Sequence, residues 1–291
     1  AHRREEPGLI DALLSLASTR VLLAHDGRFA TQGADGPHGA ERVVTDLRAP
    51  SDELVAAALP EAEPLFLGAD EDGAYVALVL PATTAPPGAP SWANLREAGE
   101  RLDARDAGLA ATTLALASWH ATHRFCPRCG APTAVSLAGW QRRCTIEGTP
   151  LYPRTDPAVI MAVTDDDDRL LLGHATHWPA RRFSTLAGFV EAGESAEQAL
   201  RREVLEEVSL PVTDIEYRGS QTWPFPASLM LAYRARATAT EIVADGVEVG
   251  EARWFDRSGL RAASTSGEVL LPGRASIARA LIEDWFGGVL P

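Results

Sequence analysis

The sequence predicts an α/β protein in three parts, and three observations carry that prediction. At 291 residues the chain is long for one domain. The run Pro81-Ala82-Thr83-Thr84-Ala85-Pro86-Pro87-Gly88-Ala89-Pro90 is too rich in Pro and Gly for helix or strand and reads as a linker. All three cysteines, Cys126, Cys129 and Cys144, fall in one short stretch. The division that follows is an N-terminal α+β domain over 1–121 with its linker at 81–90, a cysteine module over 122–153, and an α/β domain over 154–291.

In chain order, Ser51–Leu59 reads as a helix and the apolar run Ala74–Leu80 as a strand. Residues 91–122 read as a helical stretch broken near Gly108. The apolar runs Pro157–Thr164 and Arg169–Gly173 flank four aspartates, Asp165–Asp168, and form a hairpin around a solvated turn. Ser195–Val208 is rich in strong helix formers, with Ser195 placed to cap it. The first 80 residues carry no chemistry beyond a scaffold or dimerisation role.

Composition excludes some function classes. A net charge of −13 disfavours non-specific nucleic-acid binding. One segment runs against it: Arg124, Arg128, Arg142, Arg143 and Arg154 face a single acid, Glu147, between His120 and Arg154. It reads as a solvated face or as a local phosphate or RNA contact. No run of eighteen apolar residues suggests a membrane span, and Ala1–Glu6 has no apolar leader, so a cytoplasmic protein is the expectation.

The cysteines read Cys126-Pro127-Arg128-Cys129-Gly130, then Cys144-Thr145-Ile146-Glu147-Gly148. A redox CxxC would open a helix, whereas Gly130 and Pro132 argue for a tight knuckle. Paired CxxCG knuckles form a zinc-ribbon pattern, here with Glu147 in place of the fourth cysteine. Three readings stand open: Glu147 as fourth ligand, His120 or His123 in that role, or no stable zinc. The site is structural in each.

The strongest signal is Gly188-Phe189-Val190-Glu191-Ala192-Gly193-Glu194, then, after seven residues, Arg202-Glu203-Val204-Leu205-Glu206-Glu207-Val208-Ser209-Leu210. On a helix Glu203, Glu206 and Glu207 share an arc of about 100°. Like charges on one face repel, and a hard cation such as Mg²⁺ or Mn²⁺ relieves them. Such a cation is usually shared with substrate phosphates, so the pattern points to diphosphate cleavage by a metal-activated water.

These residues resemble the Nudix box, Gly-x5-Glu-x7-Arg-Glu-U-x-Glu-Glu-x-Gly-U, with Ser209 standing for its last glycine. A non-glycine residue in that left-handed position costs roughly 1–2 kcal/mol. Downstream, Ser220-Gln221-Thr222-Trp223-Pro224-Phe225-Pro226-Ala227-Ser228 resembles the SQPWPFPxS array of the NADH pyrophosphatase subfamily, with Thr222 for proline. The resemblance implies a Nudix α/β/α sandwich, a homodimer, and hydrolysis of NADH or NAD⁺ to AMP and nicotinamide mononucleotide. NAD-capped RNA presents the same diphosphate. It further implies that Glu203, Glu206, Glu207 and Glu248 hold Mg²⁺ or Mn²⁺, and that Gly188, Glu194 and Arg202 brace the loop–helix turn. Phe189 and Tyr152 are where the family stacks a ring, Tyr152 being offered by a partner subunit. Gln221, Trp223, Ser228 and Ala278 are weaker substrate contacts. Thr222 is expected to leave its loop looser than proline would.

Overall fold

The computed structural model describes residues 2–35, 41–83 and 91–291. The chain splits into two compact units, Ala1–Arg154 with Pro224–Ala227, and Thr155–Trp223 with Ser228–Pro291. Residues 84–90 of the expected linker lie outside the described residues. No helix among the described residues is long and apolar enough to cross a membrane.

The first unit runs α1 (Leu9–Leu14), β1 (Arg20–His25), β2 (Arg28–Asp35), β3 (Glu41–Thr45), β4 (Leu47–Arg48), α2 (Glu53–Ala58), β5 (Glu63–Asp70), β6 (Gly73–Leu80), β7 (Ser91–Ala93), α3 (Leu95–Ala98) and α4 (Ala104–Thr122). Its sheet has the order β3-β2-β1-β6-β5, with β4 on β1, β7 on β2, and β1 parallel to β6. Alternate residues of the central strands serve opposite faces. Val21, Leu23, Val76 and Leu78 pack with Leu9, Leu13 and Val55, while Leu22 and Tyr75 pack with Leu109, Ala110 and Leu114 of α4. The helical stretch expected over 91–122 is corrected in two places. Ser91–Ala93 is a strand, and α4 runs unbroken through Gly108 because the break comes earlier, where Asp103 caps it by accepting from Asp106 N–H at 2.9 Å. A small antiparallel sheet of β8 (Thr133–Ser136), β9 (Gln141–Cys144) and β10 (Pro150–Leu151) completes the unit, tied to the larger sheet where Trp140 Nε1–H donates to the Phe66 carbonyl at 2.6 Å.

The second unit runs β11 (Asp156–Thr164), β12 (Leu170–Ala175), β13 (Leu186–Phe189), α5 (Ala196–Val208), β14 (Val212–Trp223), β15 (Ser228–Ala237), β16 (Val249–Phe255), α6 (Arg257–Ser266) and α7 (Ile277–Phe286). The sheet order is β14-β15-β11-β12-β16, with β13 on β11 and the central pair β11 and β15 parallel. A parallel pair is buried on both faces, and β11 reads as an unbroken apolar run for that reason. Val159, Met161 and Val163 pack with Ala199, Leu200 and Val204 of α5. Ile160 and Ala162 pack with Leu260 of α6 and with Leu281, Ile282 and Trp285 of α7. Helices thus cover both faces, and the expected α/β/α sandwich is what this unit forms. The aspartate turn is a hairpin tip in which buried Asp165 accepts from the N–H groups of Asp167 and Arg169 and pairs with the Arg169 guanidinium.

Two departures from the resembled motifs have different outcomes. Thr222 lies in no loop: it pairs with Leu229 inside the β14–β15 ladder, so the looseness argued from a missing proline does not apply. Ser209 does stand in the left-handed region, at φ 60° and ψ 27°, closing α5 with its N–H on the Leu205 carbonyl. Ser209→Gly should therefore raise stability by about 1 kcal/mol. For a unit of this size that is roughly 2–4 °C in the thermal transition, and an unchanged or lower midpoint would show the serine relieves its own strain.

Candidate functional site

The site is built on the junction of β13 and α5. Ser195 caps α5 through a reciprocal box with Gln198: Gln198 N–H donates to Ser195 Oγ and Ser195 N–H to Gln198 Oε1. That fixes the helix start, and with it the direction of every carboxylate one to three turns on. Arg202 then reaches back over the preceding loop. Its guanidinium donates to both Glu194 oxygens at 2.9 and 3.0 Å and to the Phe189 carbonyl at 2.9 Å. It also donates to Glu203 at 2.9 Å and Glu206 at 3.1 Å. Glu194 in turn accepts from Glu191 N–H at 3.1 Å, closing the loop.

Gly188 has a steric reason to be glycine, because a Cβ there would run into the Glu203 carboxylate. The strand backbone and the helix side chain approach that closely only without a side chain between them. Glu206 is exposed, Glu203 is half-buried, and Glu207 is buried at 6% exposure. Burial pushes the Glu207 carboxyl up to about 8, with Glu203, Glu248, Asp245 and Glu206 adding like charge. Burial also raises Glu203 above the usual carboxylate range, against the pull of Arg202. Glu207 Oε2 is buried with no hydrogen-bond partner. An unpartnered buried carboxylate oxygen among further carboxylates is costly alone and suits a divalent cation.

Glu248 comes to the same place from a different element. Asp245 accepts from the N–H groups of Val247, Glu248 and Val249, which winds 245–249 into a compact turn. The turn is docked on α5 by Asp245 N–H donating to the Glu207 carbonyl at 3.0 Å. Glu207 and Glu248 both line a cavity of about 400 Å³. No three of the carboxylates here come within 4.8 Å of one another among the described residues, since Arg202 draws Glu203 and Glu206 aside. The role of Asp245 was missed in the sequence, where its only signal is the turn dipeptide Asp245-Gly246.

The substrate contacts expected further along are placed variously. Phe189 and Tyr152 are both exposed, at 57% and 61%, which is unusual for large aromatics. Gln221 instead braces α7, donating to the Ala275 carbonyl and accepting from Ile277 N–H. Ala278 is packed in the core and Ser228 is buried opposite half-buried Trp223 at the end of the hairpin.

In the cysteine module the sulfurs of Cys126, Cys129 and Cys144 lie within 4.8 Å of one another, which fits a shared metal ion. Glu147 N–H bonds Cys144 Sγ at 3.3 Å, but its carboxylate turns to Arg128 at 3.8 Å and Thr149 at 3.3 Å. His120 is committed elsewhere: Nε2–H donates to the Gly139 carbonyl at 2.8 Å and Nδ1 accepts from Arg142 at 3.0 Å. Burial lowers it to about 4, keeping it neutral. His123 Nδ1 sits against the Trp119 carbonyl and the Thr122 hydroxyl at the end of α4. Of the basic segment, Arg142 is buried on Thr133 and His120, and Arg143 is bonded to Gly148 and Gln141.

Comparison with known proteins matches three family models along the chain. They are an NADH pyrophosphatase-like rudimentary NUDIX domain at residues 18–119, an NADH pyrophosphatase zinc ribbon domain at 121–152, and a NUDIX domain at 154–271. The chain is 44% identical over 239 residues to the NAD-capped RNA hydrolase NudC of Mycobacterium tuberculosis and of Mycobacterium bovis, covering 78% of this chain and 76% of each relative. It is 39% identical over 197 residues to the NAD-capped RNA hydrolase NUDT12 of Homo sapiens, covering 64% of this chain and 43% of that relative.

Gly188→Ala should displace the Glu203 carboxylate and destabilise the catalytic unit by roughly 1–3 kcal/mol through overpacking. Calorimetric titration with Mn²⁺ should show affinity at least about tenfold weaker. Unaltered Mn²⁺ binding would show that Glu203 need not lie against the strand.

Proposed function

The chain belongs to the Nudix hydrolase family, in the branch that joins an NADH pyrophosphatase-like domain and a zinc ribbon to the NUDIX domain, and we propose that it hydrolyses the diphosphate of NAD(H). The products are AMP and nicotinamide mononucleotide, and the same bond is cut where NAD caps the 5′ end of an RNA. The observation that carries this reading is the unpartnered Glu207 oxygen, buried beside Glu203, Glu206 and Glu248 at the rim of a cavity. The NudC and NUDT12 relatives are named as NAD-capped RNA hydrolases, which supports the same substrate class.

Glu203, Glu206, Glu207 and Glu248 are the residues that would hold Mg²⁺ or Mn²⁺. Such an ion, when bound, neutralises diphosphate oxygens and lowers the pKa of an attacking water. The rest is work of the chain. Arg202 and Glu194 fix the loop that leads into α5, and Gly188 admits the Glu203 carboxylate against the strand. The Asp245 turn presents Glu248 opposite the helix. Phe189, with its exposed ring, stacks one planar end of the substrate, and the partner subunit's Tyr152 offers a second ring. Water adds to one phosphorus, the bridging P–O bond breaks, and the other phosphate leaves with the bridging oxygen. Assembly is as a homodimer in the cytoplasm, with functional domains at 1–121, 122–153 and 154–291.

The ribbon holds zinc through Cys126, Cys129 and Cys144. Glu147 would reach the fourth position by turning from exposed Arg128 and half-buried Thr149. A structural role fits, since Cys144 ends β9 of a sheet that Trp140 ties to the larger sheet of the same unit.

Glu207→Gln keeps the shape of the side chain and removes its charge. With saturating Mg²⁺, turnover of NADH, NAD⁺ and NAD-capped RNA should fall at least about 100-fold. Near-normal turnover would remove this helix face as the metal site.

Elemental analysis of protein purified without chelator should find about one zinc per chain, and Glu147→Ala should lower that occupancy. Zinc retained in full by Glu147→Ala would assign the fourth position to another group.

A further inference from the structure

The 400 Å³ cavity has walls that the reading above does not use. Glu207 and Glu248 form one side, while Trp178 comes from the β12–β13 connection and Thr185 immediately precedes β13. Thr185 is 5% exposed, and its Oγ1 is buried without a hydrogen-bond partner. Two buried, unpartnered oxygens, Thr185 Oγ1 and Glu207 Oε2, therefore belong to residues lining one cavity. Buried polar atoms in folded proteins are nearly always satisfied, so a pair of exceptions in one cavity marks where a ligand supplies the partners.

Trp178 is half-buried and held in place. Its backbone N–H donates to the Ala175 carbonyl at 3.0 Å, which fixes the turn, and the Arg182 guanidinium lies 5.0 Å from its ring centroid. The segment that carries it is fastened to the segment that carries Glu248. Thr176 N–H donates to the Glu248 carbonyl at 3.0 Å, and Thr176 Oγ1–H to the Val247 carbonyl at 2.7 Å. A flat aromatic ring and a metal-site carboxylate are thus set at fixed separation across one cavity.

The volume, about 400 Å³, lies at the small end of the roughly 300–1,000 Å³ range of ligand cavities and gives room for a ligand of mononucleotide size. Phe189, the expected stacking residue, is not among the residues lining it. Resting on the diphosphatase reading, we propose that this cavity is the subsite for the mononucleotide half that Phe189 does not stack. The heterocycle lies on Trp178, a ligand hydroxyl or amide meets Thr185 Oγ1, and the phosphate lies toward Glu207 and Glu248, which would receive it only through a bound divalent cation. Trp178 and Thr185 are then specificity-determining residues for the reaction.

The test uses the full chain with Mg²⁺ and two probes, AMP and nicotinamide mononucleotide, titrated by calorimetry. Wild type, Trp178→Ala, Trp178→Phe and Thr185→Val are compared, with thermal midpoints to verify folding. Trp178→Ala should weaken one mononucleotide about tenfold or more and the other less than twofold, while Trp178→Phe restores most of the loss. Thr185→Val should weaken the same mononucleotide, and NADH KM should rise in Trp178→Ala while kcat stays within about threefold. Both mononucleotides binding Trp178→Ala as they bind wild type, or both weakening equally, would overturn the subsite. Failure of the wild type to hydrolyse NADH would instead remove the diphosphatase reading, and the two titrations would still decide the occupant of the cavity.

Discussion

The Arg202 guanidinium joins four groups that would otherwise separate: the Glu194 carboxylate, held through both oxygens, the Phe189 carbonyl, Glu203 and Glu206. The paired donation to Glu194 is the strong contact, since a planar fork matches a carboxylate and both partners are half-buried. Lysine could keep the charge but not the fork, and the loop would lose its fixed path into α5. Every carboxylate on the helix is aimed by that path.

Around this frame the protein tolerates an electrostatic conflict. Glu203, Glu206 and Glu207 crowd one face, the Asp245 turn adds Glu248, and burial takes Glu207 out of contact with water. Arg202 balances Glu194, Glu203 and Glu206 and does not reach Glu207. The conflict is stable because the surroundings leave it no relaxation: Val204 and Val208 anchor the helix in the core, and the turn is bonded to the Glu207 carbonyl.

What was legible in the sequence is local. The Ser195 cap, the extent of α5, the aspartate hairpin and the left-handed conformation at Ser209 each depend on residues within a turn or two. What was not legible depends on partners far along the chain. Thr222 looked like part of a loop, yet Leu229 holds it in a ladder. Gln221 stands in a motif, but the engagement of its amide by residues 275 and 277 is set by the fold alone. Thr185 and Trp178 carry no motif at all, and only the fold sets them beside Glu207. The N-terminal sheet was opaque for a related reason: β1 and β6 pair in parallel across some fifty intervening residues, and apolar runs do not announce their partners.

The parallel pairing of β11 with β15 has a consequence for the order in which the protein comes into being. The two strands match in register from Asp156↔Ser228 to Thr164↔Arg236, and the whole glycine loop and glutamate helix lie in the chain between them. A nascent chain that has emerged only as far as α5 holds the carboxylates but lacks the strand that completes the sheet beneath them. The like charges then have no fixed geometry and repel freely. Non-local pairs of this kind form late, because loop closure precedes any reward from contact. The acidic cluster therefore takes its fixed geometry only once β15 has emerged to close the sheet, and a chain halted at α5 carries the carboxylates without that geometry.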